Sequence, residues 1–249
     1  MIPMDNVVIV GATSTVAQAM AVQFAARGDR LFCLARNEQK LEKLAEKLSQ
    51  AYTGGFCFDF NDSERVEEAL AALYDVMPII DIVIFAHGEL LDQQLSEHDF
   101  SVARKTFEAN LLSVLAILIP LSNHLEQQGR GKIGVITSVA GDRGRPRNYT
   151  YGAAKGALSL YLQGLRSGLW GSGVAVYDFK MGPVDTPMTV DHEKNFSFST
   201  PEKVATIMVD ALQKKRYTVY VPGYWAWVMR VVRLLPEALF QRLKFLSAR

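Results

Sequence analysis

The sequence predicts an α/β fold: a single doubly wound domain on a mostly parallel, about seven-stranded sheet, followed by an amphipathic helical tail. Three observations carry that prediction. Strand-like apolar runs recur at 6–10 (NVVIV), 31–35 (LFCLA), 55–60 (GFCFDF), 81–86 (DIVIFA), 132–138 (KIGVITS), 174–179 (VAVYDF) and 217–221 (YTVYV). Helical segments separate them, and strand–helix alternation argues for parallel pairing. The length of 249 residues is ordinary for one such domain. The expected boundaries are 1–222 for the domain and 223–249 for the tail.

The first run ends in VGATSTVAQAM, a glycine turn entering a helix. Backbone N–H groups and the positive end of a helix dipole there suit an anion such as a phosphate. Gly11, Thr13, Ser14, Thr15 and Val16 are the candidate contacts. A fuller glycine pattern would place glycine at Thr15 and Ala17 as well; alanine still permits close packing, whereas Thr15 departs from the pattern. The bland alternative is a plain strand-to-helix turn.

The second run ends in LAR. In dinucleotide-binding folds an acid at this place accepts the ribose 2′-OH and an arginine suits a 2′-phosphate. Ala35 leaves the acidic position empty and Arg36 follows it, which favours NADP(H) over NAD(H), unless Arg36 is only a solvated residue at a helix entrance. The helix expected next, in NEQKLEKLAEKLSQ, repeats Leu41, Leu44, Ala45 and Leu48 on one face. Asp59 and Phe60 end the third run, where Asp59 is placed to accept from an adenine amino group. The fourth run closes on Ala86, His87 and Gly88; His87 reads as a packing or hydrogen-bonding residue. Thr200, Pro201 and Glu202 form a helix start signal.

Ser138 closes the fifth run, and thirteen residues later the stretch YTYGAAKGAL places Tyr151 and Lys155 four apart, on one helical face. Gly152, Ala153, Ala154 and Gly156 around them leave room for something bulky. Ligands of doubly wound sheets bind at the carboxyl ends of the strands, so Ser138, the glycine turn and the Tyr151 helix are expected to converge.

At these residues the chain resembles the short-chain dehydrogenase/reductase family, over about residues 5 to 221. The resemblance implies a Rossmann domain that transfers hydride between a nicotinamide and a carbonyl or secondary alcohol. Tyr151 would be the general acid or base, Lys155 would lower its pKa and hold the nicotinamide ribose, and Ser138 would hydrogen-bond the substrate oxygen. Asn110, in FEANLLSV, matches the family's asparagine that fixes a relay water, although by itself it reads as a capping or core amide. MGPVDTPM resembles the loop after the sixth strand, where Val184 and Thr186 would contact the carboxamide. Met181 stands where the family usually has proline, and Phe85, Ala86, His87, Gly88 where it commonly has Asn-Asn-Ala-Gly.

Composition names no partner. With 49% hydrophobic residues, 21% charged residues and a formal net charge of +1, the chain has a soluble globular profile and no nucleic-acid-binding character. Cys33 and Cys57 read as buried, reduced thiols, and the N-terminus lacks an export signal; a cytoplasmic protein is expected. His87, His98, His124 and His192 lack metal-ligand spacing, so no metal is expected. The tail, in contrast, sets Lys214, Lys215, Arg216, Arg230, Arg233, Arg242, Lys244 and Arg249 against Glu237 alone, interleaved with Tyr224, Trp225 and Trp227. Too short and too interrupted to span a bilayer, it suits an interfacial helix on the inner face of the membrane, or one docked on the domain or on a second copy in a homo-oligomer. Together with GATS and AHG it resembles the subset of these reductases that act on polyprenyl-phosphate sugars, such as the reductase component of decaprenylphosphoryl-ribose 2-epimerase. A reductase of a soluble ketone or lipid keto group, and a nucleotide-sensing protein without turnover, are the alternatives. Residues 189–200 are expected to shape the substrate pocket.

Overall fold

The computed structural model describes residues 4–62, 64–190, 194, 197–214 and 216–243. Lys215, Lys244, Arg249, His192 and part of the 189–200 stretch therefore lie outside the described residues.

Seven strands form one sheet: β1 (Asn6–Val10), β2 (Arg30–Ala35), β3 (Tyr52–Cys57), β4 (Ile82–Phe85), β5 (Gly131–Ser138), β6 (Val174–Met181) and β7 (Thr218–Val221). Their order is β3-β2-β1-β4-β5-β6-β7, and every neighbouring pair is parallel. Side chains alternate across the sheet. Val7 and Ile9 meet one layer, with α1 (Thr15–Ala26), α2 (Glu38–Leu48) and α8 (Pro201–Ala211). Val8 and Val10 meet the other, with α3 (Glu64–Val76), α6 (Ser113–Gln128) and α7 (Tyr149–Gly168). The repeat Leu41, Leu44, Leu48 is the buried stripe of α2, and Thr200 caps α8 by accepting from Lys203 N at 3.3 Å.

The third strand lies earlier than the apolar run suggested, at Tyr52–Cys57 and not 55–60. Phe58 and Phe60 are buried because they pack beside α3, after Phe58 N has bonded Ala35 O at 3.0 Å and the chain has left the ladder. Gly54 and Gly55, which hide the strand from a hydrophobicity reading, are needed there. A Cβ on Gly54 would sit 2.9 Å from the Phe32 ring, and one on Gly55 2.7 Å from Cys33 O. Cys33 is buried and Cys57 half-buried, both as free thiols.

Two short helices, α4 (Gln93–His98) and α5 (Phe100–Phe107), precede α6. A π-helical turn at Glu108–Leu112 joins α5 to α6 and carries Asn110; such turns often mark functional positions. The continuous stretch Phe100–Gln128 is long and apolar enough to cross a bilayer by composition, yet Val114, Ile117, Leu118, Leu121 and Leu125 face the core.

The tail forms α9 (Trp225–Leu234) and α10 (Glu237–Arg242). Met229, Val232 and Phe240 bury themselves against Val139, in the turn that follows Ser138. Arg143 fastens this arrangement by donating to Val232 O (2.6 Å), Leu235 O (2.7 Å) and Glu237 (2.8 Å) while lying 3.9 Å over the Phe240 ring.

Candidate active site

The site forms along the carboxyl edge of the sheet. After β1, Gly11 adopts φ +80°, and its N–H and that of Ala12 both donate to Leu34 O, at 2.9 and 3.0 Å. A Cβ on Gly11 would stand 2.7 Å from His87 N, so only glycine fits where β1 and β4 exits meet. Ser14 caps α1 by accepting from Ala17 N at 3.3 Å, and Gln18 Nε2 donates to Thr13 O at 2.9 Å. Thr15 and Val16 open α1, where backbone N–H groups lack partners within the helix. Thr15 thus begins the helix without closing the turn.

Arg36, at the exit of β2, pairs with Glu89, and both side chains are substantially exposed. Asp59 Oδ1 accepts from Asn61 N (3.0 Å) and Nδ2 (3.1 Å) at an exposed position. Phe60 is buried, its ring centroid 4.7 Å from that of His87. Ala86 N continues the ladder by donating to Val10 O at 2.8 Å. His87 Nε2 lies 3.2 Å from Ser113 Oγ. Burial, then the charges of Lys155 and Arg36, pushes its pKa down to about 3, so the ring is neutral at physiological pH.

Gly88, at φ +153°, brings three elements together: a Cβ there would be 2.6 Å from Asn110 Oδ1 and 3.0 Å from Lys155 Nζ. Asn110 is fully buried. Its Nδ2 donates to Glu89 O (2.7 Å) and Thr106 O (2.9 Å), and its Oδ1 accepts from Glu89 N (3.1 Å). The amide therefore fixes the exit of β4.

Tyr151 and Lys155 share the inner face of α7, with Lys155 Nζ 5.9 Å from the Tyr151 ring centroid. Two of the small residues around them, Gly152 and Gly156, serve the backbone. A Cβ on Gly141 would be 2.6 Å from Gly156 N, and one on Gly152 2.7 Å from Ala140 O, so the glycines let α7 press onto the turn after Ser138. Ser138 Oγ accepts from Ala140 N at 3.1 Å and lies 3.4 Å from Met181 O. Its hydroxyl also bonds the Tyr151 phenol and favours ionisation, but burial outweighs that bond and pushes the phenol up to about 12. Lys155, buried and donating to Ile136 O at 3.2 Å, is pushed down to about 8 by burial against the pull of Asp178. The expected lowering of the phenol by Lys155 is not seen; desolvation of the phenol dominates.

Asp178 was not singled out by sequence reasoning. It is fully buried in β6 and accepts from Thr137 Oγ1 and Ser159 Oγ. Beyond it, Lys180 pairs with Asp142, whose other oxygen accepts from Tyr220 OH at 2.7 Å. The available signal was an acid and a lysine two apart within a strand, positions that share one face. Val184 is buried and bridges to Ser199, and Thr186 caps the short turn Pro187–Thr189. Trp225 lies against this loop: a Cβ on Gly182 would be 2.1 Å from its Nε1.

The structure thus brings Ser138, Tyr151, Lys155, Gly88 and Asn110 together. The other candidates form a line along the same edge, from Asp59 and Arg36 past the Gly11 turn to Val184 and Thr186.

The chain is similar to known proteins in family, in sequence and in fold. The family described as short chain dehydrogenase matches residues 5–196. An uncharacterized oxidoreductase of Streptomyces coelicolor is 32% identical over 244 residues, covering 97% of this chain and 96% of the relative. A serine 3-dehydrogenase of Agrobacterium fabrum is 34% identical over 189 residues, 74% of each chain. Among solved structures, a short chain dehydrogenase from Burkholderia cenocepacia in complex with NADP superposes with a TM-score of 0.85 at 21% identity, over 98% of both chains.

Proposed function

We propose, from the premise that this chain belongs to the short-chain dehydrogenase/reductase family of NAD(P)-dependent oxidoreductases, that it is an NADP(H)-preferring carbonyl reductase with Ser138, Tyr151 and Lys155 as its reacting set. The convergence of Ser138 and Tyr151 above a buried Lys155, at a glycine only a few ångströms from the ammonium, carries the reading.

The residues present fit a dinucleotide. Gly11 and Gly88 keep the strand exits free of Cβ atoms, and Lys155 uses one of its three N–H donors on Ile136 O, leaving two for ribose hydroxyls. The first turn of α1, with Thr13, Ser14, Thr15 and Val16, would take the pyrophosphate. Asp59, Phe60 and Ala86 would border the adenosine half, and Val184 and Thr186 the carboxamide. For Arg36 the magnitudes favour NADP(H). Its exposed pair with Glu89 is worth about 0–1 kcal/mol, whereas a charge-assisted bond to a 2′-phosphate is worth about 1.5–3 kcal/mol, so the phosphate displaces the carboxylate.

The carbonyl carbon would receive the hydride that NADPH supplies when bound. Ser138 Oγ donates to the carbonyl oxygen and holds it at the Tyr151 phenol, which delivers the proton; in the reverse direction Tyr151 removes it. Asn110 acts by fixing Gly88 and Glu89, and its Oδ1 keeps one lone pair for a relay water. A phenol near 12 is a poor acid at neutral pH, so the Lys155 charge is needed to stabilise the phenolate that forms.

For the substrate, the outer face of α9 supports a polyprenyl-phosphate-linked keto-sugar met at the cytoplasmic membrane surface. Trp227, Val231 and Leu234 are 69%, 60% and 77% exposed on one stripe, with Arg230 5.5 Å from the Trp227 ring. Such a face suits anionic lipid, and a second copy of the chain would cover the same stripe. The serine 3-dehydrogenase relative favours a second reading, a soluble hydroxy compound.

Fluorescence titration with NADPH and NADH tests the cofactor assignment. NADPH should bind at least ten-fold tighter than NADH, and Arg36→Asp should abolish the difference; equal affinities in the unaltered protein would refute it. Cosedimentation with phosphatidylglycerol vesicles, lost in Trp227→Ala, tests the membrane face.

A further inference from the structure

A second polar site lies at the start of α7. A cavity of about 410 Å³ opens between the loop that joins Ser138 to Tyr151 and the end of the tail, lined by Arg145, Pro146, Tyr149, Phe240 and Gln241, with Glu97 of α4. Arg145 is half-buried, and its Nε is buried without an acceptor. Among the described residues it makes no ion pair: Asp142, the acid nearest in sequence, is committed to Lys180 and Tyr220. Desolvation, and then the like charge of Arg147, weakens the hold of Arg145 on its proton against the pull of Asp142.

A buried guanidinium N–H without an acceptor is costly. The unpaired group in the cavity wall, Arg145, is a donor, so the matching ligand is rich in acceptor oxygens. A guanidinium fork suits carboxylate and phosphate oxygens in particular.

We propose that Arg145 is a subsite for an anionic group of the substrate, a phosphate or a carboxylate, held in this cavity while the reacting carbonyl lies at Ser138 and Tyr151. The proposal deepens the reductase reading and rests on it for the position of the carbonyl. The subsite is built from the loop that leaves Ser138 and from the first residue of α7, the helix that carries Tyr151, whereas the cofactor candidates lie along the β1, β2 and β4 exits. The tail completes it, because Phe240 and Gln241 come from α10 and are set in place by the Arg143 contacts.

Calorimetric titration of the full chain, saturated with NADPH, with phenyl phosphate, benzoate and benzyl alcohol as probes tests this. One or both anions should bind at least ten-fold tighter than the alcohol; which of the two wins identifies the group. In Arg145→Gln that advantage should fall to within three-fold, and in Arg36→Asp, tested without nucleotide, it should persist. An advantage that survives in Arg145→Gln, or none at all, overturns the proposal. So does displacement of the anion by NADPH, which would assign it to the nucleotide turn. Phenylglyoxal labelling of the unaltered protein, mapped by peptide mass, keeps the test independent of the variant's folding. Phenyl phosphate or benzoate should slow modification of Arg145 at least five-fold, and equal labelling with and without them refutes the site. If NADPH fails to bind, the reductase reading falls on its own, since labelling and anion binding without nucleotide still report on Arg145.

Discussion

The two halves of the sheet solve different physical problems. In the nucleotide half, β1 and β2 bury Val7 to Val10 and Leu31 to Ala35 almost completely, and Asp29 is the one buried charge there among the described residues. In the catalytic half, Thr137, Ser138, Lys155, Ser159, Asp178 and Lys180 are all buried around β5, β6 and α7. The first half is an apolar scaffold whose function resides in backbone geometry at its mouth. The second is a polar interior in which each buried charge depends on the others. Substitutions should therefore act on binding and shape in the first half, and on chemistry and stability together in the second.

The sharpest break is expected at Tyr151→Phe, which removes the proton donor and little else. Turnover should fall by about 10²–10⁴-fold while NADPH affinity stays within two-fold, measured by steady-state kinetics and fluorescence titration on one preparation. Unchanged turnover would move the proton transfer to another residue.

Next in size is Asp178→Ala. It strands the Thr137 and Ser159 hydroxyls and removes the carboxylate that supports the Lys155 charge, at a cost of about 3–5 kcal/mol, read as a lower urea midpoint. A loss below about 1 kcal/mol would show that the buried network is not mutually dependent.

In the nucleotide half, Gly11→Ala meets both a positive φ and the His87 backbone, and should cost about 1–3 kcal/mol and weaken NADPH. By contrast Thr15→Gly, which restores a fuller glycine pattern, should change stability by less than about 0.5 kcal/mol and NADPH affinity by less than three-fold. If Thr15→Gly tightened NADPH strongly, Thr15 would be a functional barrier and not a tolerated helix start.

His87 joins the two halves, and its titration gives the smallest effect near neutrality. Its folded pKa of about 3 lies below the ordinary 6.5. Between these values the unfolded chain binds a proton that the folded chain refuses. Stability is therefore full above pH 6.5 and declines as pH falls toward 3, by at most about 1.4 kcal/mol per pH unit. Urea midpoints at pH 7 and pH 4.5 should differ less in His87→Gln than in the unaltered protein.

What was readable in the sequence follows the same division. The strand–helix alternation, the Gly11 turn, the α2 stripe and the Thr200–Pro201 cap all announce themselves locally, through periodicity and turn chemistry. Ser138, Tyr151 and Lys155 were legible because their spacing on one strand and one helix is itself the signal. Asp178 and the Lys180–Asp142–Tyr220 group were not, since a buried charge and a solvated one look alike until partners from distant segments are in place. The β3 boundary was misplaced for a related reason: Gly54 and Gly55 are dictated by the Phe32 ring and the Cys33 carbonyl across the ladder, which no local pattern records.

The Arg143 clamp bears on how this chain can be recombined with others. The matched family region ends at residue 196, yet Arg143 within it takes its partners from residues 232, 235 and 237. A chimera joined at that boundary would inherit an arginine with no carbonyls to grip and a turn after Ser138 stripped of its apolar cover. In exchange experiments, the loop carrying Arg143 and the helices that hold it form one hereditary unit, to be transplanted together.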